Sequence, residues 1–184
     1  MQRIKIPNQS SAGSRVKRSA GSKGRVKKAV GSVQPIHLRR ILVPVDFSEE
    51  SRKAVAYAIP FAQQFSAAIY LLHVMTPISY VPYNDFPFPM ALREEPAEVK
   101  SKLRDFWIEF KEAASIKAVM LCAEGRAFHE ICECSKLLGV DLVIMPTHGY
   151  TGMEHLFLGG TTERVVRHAS CPVLVVRKVE HDFI

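Results

Sequence analysis

The sequence predicts an α/β fold, an open five-stranded parallel sheet with helices on both faces. Two observations predict it. Five short runs of almost uniformly apolar residues are spaced along the chain, as strands buried on both faces require. The segments between them carry apolar residues at helical spacing and are long enough for crossover connections.

The first run is Ile41-Leu42-Val43-Pro44-Val45. Asp46 and Ser48 follow as turn and N-cap residues. Glu49 and Glu50 occupy the first helical turn, where the helix dipole favours carboxylates. Ala54, Ala58, Phe61 and Phe65 continue that helix at intervals of three to four, and Pro60 is expected to kink it. Residues 68–74 form the second strand. Five prolines between residues 76 and 96 mark a long surface excursion. Val99, Leu103, Phe106, Trp107 and Phe110 then form the apolar stripe of a helix beginning near Ala97. Ile116–Cys122 reads as the third strand, and Ala127–Leu138 as a helix stopped by Gly139. Leu142–Met145 is the fourth strand. A glycine-bearing loop, Pro146–Gly160, leads into a helix from Thr161 to His168. Pro172–Val176 is the fifth strand.

Before this pattern lies a different composition. Of 25 Lys and Arg in the chain, eleven fall in residues 1–40, which hold no Asp or Glu. The remaining fourteen face eighteen acidic residues, so the charge is +11 up to Arg40 and −4 beyond it. Residues 1–38 are also poor in large apolar side chains, with a short imperfect repeat at Ser11–Arg18 and Ser19–Lys28. Such a segment cannot bury enough apolar surface to offset its ordering entropy. The expected organisation is a disordered basic leader, residues 1–38, and one domain, residues 39–184. Three roles stay open for the leader: a solubilising tail, a non-specific tether to an anionic partner such as nucleic acid, or an organellar transit segment.

No apolar stretch approaches the ~20 residues that cross a bilayer, and no secretory signal is visible. Cys122, Cys132, Cys134 and Cys171 fit neither a zinc ribbon nor a redox pair. Cys134 shares a helix face with Ile131 and Leu138 and reads as a core residue. Free thiols are consistent with a reducing compartment, and a cytoplasmic location is expected.

In a doubly wound sheet, ligands bind beyond the carboxyl ends of the strands, at the switch point of strand order. Three loops gather there: Asp46-Phe47-Ser48, Val74-Met75-Thr76 and Pro146-Thr147-His148-Gly149. The third runs on to Gly159-Gly160-Thr161 at a helix N-terminus. Glycines let backbone N–H groups approach an anion, and the helix dipole favours negative charge. The same residues also suit a plain loop and helix cap. Asp46 reads equally as a turn residue or a ligand contact. His73 reads as a packed strand-end histidine. His148, His155 and His168 are too irregularly spaced for a zinc site, so no metal is expected. Neither a phosphate-binding Walker motif nor a nucleophile elbow is present, and no catalytic residue is assigned.

Ile41–Ser48, Leu71-Leu72-His73-Val74, Asp141–Gly152, Gly159–Ala169 and Cys171–Val176 together resemble the universal stress protein family, in order and spacing, over roughly residues 40–178. The resemblance implies a Rossmann-like sheet of the adenine nucleotide alpha hydrolase type, with strand order 3-2-1-4-5. It implies ATP or AMP as ligand, Mg only alongside nucleotide, and at most weak ATP hydrolysis. The implied contacts are Pro44, Val45, Asp46, Val74, Pro146, Gly149, Gly159, Gly160 and Thr161. Asp46 and Val74 would lie beside ribose and adenine, and Gly149, Gly159, Gly160 and Thr161 beside phosphates. ATP-binding members carry G-x-x-G, nine residues, then G-[S/T]. Here Pro146 replaces the first glycine and Gly160 the Ser/Thr, while Gly149, Gly159 and the spacing are kept. The resemblance also implies a homodimer paired through Pro172–Val176. The other function open to this fold is a non-catalytic interaction protein with a vestigial pocket.

Overall fold

The structure is a computed structural model that describes residues 35–75, 95–149 and 159–177. The basic leader, most of the proline-rich excursion and the Tyr150–Leu158 spacer lie outside the described residues.

Among the described residues, five strands and four α-helices alternate: β1 (Arg40–Pro44), α1 (Glu49–Phe65), β2 (Ala68–Met75), α2 (Pro96–Ile108), β3 (Ala118–Glu124), α3 (Ala127–Leu138), β4 (Leu142–Pro146), α4 (Gly160–His168) and β5 (Val173–Val176). All pairings are parallel, and the order is β3-β2-β1-β4-β5, as expected. The chain builds outward from β1 to β3, then crosses back to place β4 on the other side of β1. That reversal puts the switch point between β1 and β4.

Alternation along the strands divides the core. Ile41, Val43, Ile69, Leu71 and Ile144 pack in one cluster with Ala54, Val55 and Tyr57 of α1 and Val99, Leu103 and Phe106 of α2. Leu42, Leu72 and Val143 are also fully buried but alternate with that set. They therefore face the opposite side, where α3 packs on β2 and on α4. Each such side chain contributes roughly 1.5–3 kcal/mol relative to exposure, and the central strands carry most of them.

Caps fix the helix ends. Ser48 accepts the Ser51 N–H at 3.1 Å and starts α1. α1 runs on through Pro60 and ends where Ser66 turns left-handed, at φ 53°. Gly139 ends α3 with φ 58°, as its position predicts. Beside it, the Arg40 guanidinium donates to the Leu138 carbonyl, one of the acceptors a helix C-terminus leaves open.

Most element ends differ from expectation by one or two residues, and two of these differences have a visible cause. β3 begins at Ala118, because the Ile116 N–H bonds the Ala113 carbonyl and closes a short 3₁₀ turn, Lys111–Ala113. Phe110 lies beyond α2, yet its ring still packs on Phe106 and Trp107, so the apolar stripe outlasts the helix.

Cys134 is fully buried, as its helix face predicts, and the four cysteines are free thiols. Burial, with Glu130 adding repulsion, pushes the Cys134 thiol up to about 11. The unfolded chain loses that proton near its ordinary value of 9.0 and the folded chain retains it. Unfolding therefore releases a proton between these limits, and stability falls as pH rises through them. The expected loss is about 2 kcal/mol or less from this group. Urea unfolding of wild type and Cys134→Ala at pH 8 and pH 10.5 checks it: the variant should lose less stability between the two pH values.

Candidate functional site

The site begins with two prolines. Backbone groups of alternate residues point to opposite neighbours along a strand. On β1, the Arg39 carbonyl accepts from Ala68 of the β2 side, and the Arg40 carbonyl accepts from Asp141 on the β4 side. The Pro44 nitrogen therefore faces β4. On β4, the Val143 N–H reaches Pro172 and the Thr147 N–H reaches Val176, both on the β5 side. The Pro146 nitrogen therefore faces β1. Neither proline has a proton to give. The β1–β4 register holds only for Ile41↔Leu142 and Leu42↔Val143, whereas β1–β2 pairing continues to Pro44↔Leu72. Beyond the two pairs the ladder between the central strands stops, at the carboxyl-end switch point where a doubly wound sheet is expected to hold its ligand crevice.

Asp46 projects from the end of β1. Its Oδ1 accepts the Ser48 N–H at 3.1 Å and the Ser48 hydroxyl at 2.5 Å, a turn that also sets the cap of α1. Its Oδ2 lies against Gly149, where an added Cβ would sit only 2.4 Å away. The carboxylate and the Gly149 backbone thus meet across the crevice. Gly159 is equally confined, since a Cβ there would come 2.8 Å from the Thr147 carbonyl. That carbonyl accepts the Gly159 N–H at 2.9 Å, closing the loop onto the start of α4. Gly160 is different: nothing lies within 4 Å of its Cβ position. No side chain caps the start of α4, and first-turn amides have no partner within their own helix.

Of the expected contacts, Asp46, Gly149, Gly159 and Gly160 are assembled at this end of the sheet. Pro44 and Pro146 shape the crevice as strand ends. Val45 is buried, with its N–H on Leu72 and its carbonyl on His73. Val74 is half-buried on β2, in register with Ala123. Thr161 is exposed on α4, and the neighbouring Thr162 is buried, its hydroxyl donating to the Pro146 carbonyl at 2.9 Å. Pro146 therefore presents neither a donor nor an uncommitted carbonyl to the crevice.

Three residues outside the expected set shape the site. Thr162 is one. His73 donates from Nδ1 to the Val45 carbonyl at 2.7 Å, the packed role its strand-end position suggests. Phe47 takes φ 64° between Asp46 and Ser48, and its ring lies 4.9 Å from the His73 ring. Sequence signals for positive φ are glycine and asparagine, so phenylalanine gave no warning. Among the described residues, no group of three His, Cys, Asp or Glu side chains is placed to hold a metal ion. No described helix is long and apolar enough to cross a membrane.

The two glycines at the crevice should respond differently to a methyl group. Gly149→Ala displaces the Asp46 carboxylate and is expected to cost about 1–3 kcal/mol, the range of an overpacked site. Gly160→Ala meets open space in a helix and should be neutral or stabilise by up to about 1 kcal/mol. Urea midpoints of the two variants against wild type measure the contrast.

The model of the universal stress protein family matches residues 37–177. Universal stress protein MJ0531 of Methanocaldococcus jannaschii is 33% identical over 151 residues, covering 78% of this chain and 85% of the relative. Among solved structures, universal stress protein UspA from Lactobacillus plantarum aligns with a TM-score of 0.63 at 28% identity, over 78% of this chain and 100% of that one. A universal stress protein solved in complex with cAMP aligns with a TM-score of 0.58 at 19% identity, over 77% of this chain and 98% of that one, a likeness of fold. The sheet order, the crevice at its switch point and these matches agree, and the chain belongs to the universal stress protein family.

Proposed function

We propose that the crevice between β1 and β4 binds an adenine nucleotide, ATP or AMP, and that the protein acts as a homodimeric stress-response module. The observation that carries the reading is the meeting of Asp46 with Gly149 beside the uncapped N-terminus of α4. A carboxylate there suits the hydroxyls of a ribose. Confined glycines and helix amides suit phosphate oxygens. The cAMP complex supports the reading to the extent that the same fold accommodates an adenine nucleotide in another protein. Any Mg would enter with the nucleotide's phosphates.

Pro146 favours a second reading, an interaction protein with a vestigial pocket. Its missing N–H and committed carbonyl remove polar groups from the first signature position.

Titration calorimetry with ATP and AMP separates the two. Binding is expected at millimolar ligand or below. Asp46→Ala should weaken it by about 1.5–3 kcal/mol if the lost contact is charge-assisted. Gly160→Ser fits the open space and should strengthen it by supplying a hydroxyl. Absence of both heat and thermal shift at millimolar nucleotide refutes the nucleotide reading.

The dimer reading rests on β5, which closes one edge of the sheet. Since Pro172 and Val176 carbonyls point to β4, the backbone groups of Val173 and Val175 point away from it. An apolar edge of this kind invites another strand. Sedimentation should give a dimer at micromolar concentration, and Val175→Lys should shift it toward monomer. A monomeric mass for wild type overturns the assignment.

A further inference from the structure

Phe47 stands out as a bulky side chain in the left-handed region, with φ 64°. That region brings Cβ against the following carbonyl, so glycine or asparagine is the usual occupant. The conformation lets the chain leave β1, swing the Asp46 carboxylate across the crevice and still enter α1 at Ser48. Something must hold it, and the contacts of the ring supply the reason. One face lies against the His73 ring, at 4.9 Å and 36°. The Phe106 ring of α2 meets it edge-on, at 5.8 Å and 83°.

Both supports are themselves anchored. His73 is tied by Nδ1 to the Val45 carbonyl, one residue before Asp46. Phe106 is buried, and the Arg52 guanidinium of α1 sits 4.8 Å over its ring. Arg52 in turn pairs with Glu109, just past the end of α2, at 2.5 Å. A continuous stack thus runs from the α1–α2 seam to the turn that aims Asp46.

We infer that Phe47 is a positioning residue for Asp46: its ring, held between His73 and Phe106, keeps the turn left-handed and the carboxylate pointed at Gly149. The ligand role of Asp46 rests on the nucleotide reading, but the positioning does not. The Ser48 amide reports it directly, because it donates to Asp46 Oδ1 at 3.1 Å.

The test uses the full chain with Phe47→Gly, Phe47→Ala and Phe47→Tyr. Hydrogen exchange at the Ser48 amide is read by NMR against the Val43 amide, and AMP affinity by calorimetry. Glycine relieves the backbone strain while removing the ring, so it separates positioning from stability. Phe47→Gly and Phe47→Ala should speed Ser48 exchange about tenfold or more and weaken AMP about tenfold, with Val43 unchanged, while Phe47→Tyr retains both properties. Wild-type Ser48 exchange and wild-type AMP affinity in a folded Phe47→Gly overturn the inference. If wild type binds no AMP but Ser48 exchange follows the expected series, the nucleotide reading fails and the positioning role stands.

Discussion

A parallel sheet depends on its ladder of hydrogen bonds, and here the ladder fails at one chosen place. Pro44 and Pro146 turn their protonless nitrogens toward each other across the central pair of strands. Beyond Leu42↔Val143 that pair has nothing to exchange, while β1 remains joined to β2 and β4 to β5 up to their ends. The separation falls at the topological switch point, where the crossovers to either side leave room for a ligand. Two residues that weaken a strand in isolation therefore end the central ladder at this point, and the flanking pairings keep the interruption from spreading through the sheet.

The polar groups around the crevice are fixed by short local bonds. Asp46 is held by Ser48, Gly159 by Thr147, and Pro146 by Thr162. Each bond ties a strand end to the start of the following helix or loop, so the site is organised before any ligand arrives. The stack from Phe47 to Arg52 extends this order to the seam between α1 and α2. Gly160 is the exception, since its surroundings leave space for a side chain that the sequence does not supply.

Most of the fold was legible because several local signals agreed at each element. For α3, an apolar stripe and a terminal glycine gave both boundaries. The β3 boundary was misread because Ile116 is as apolar as the strand beyond it; only a backbone bond to Ala113 assigns it to a turn. The gathering of Asp46, Gly149 and Gly159 at one end of the sheet follows from strand order and loop position, and the Cβ distances show how little room either glycine has. That the Thr162 hydroxyl is taken up by the Pro146 carbonyl was not legible, since two adjacent threonines differ only in the phase at which α4 meets the sheet. Phe47 was invisible for another reason: its conformation is set by rings on β2 and α2, far away in sequence.

The central claim is that the ends of β1 and β4, beyond their last shared pair, form the ligand crevice. Backbone amide mapping by NMR during an AMP titration tests it most directly. The account predicts saturable shifts concentrated at Asp46, Ser48, Gly149, Gly159, Gly160 and Thr161. Amides of Ala118–Cys122 on the far edge strand should stay in place. Shifts confined to the edge strands or the outer helix faces, with those crevice amides unmoved, would contradict it.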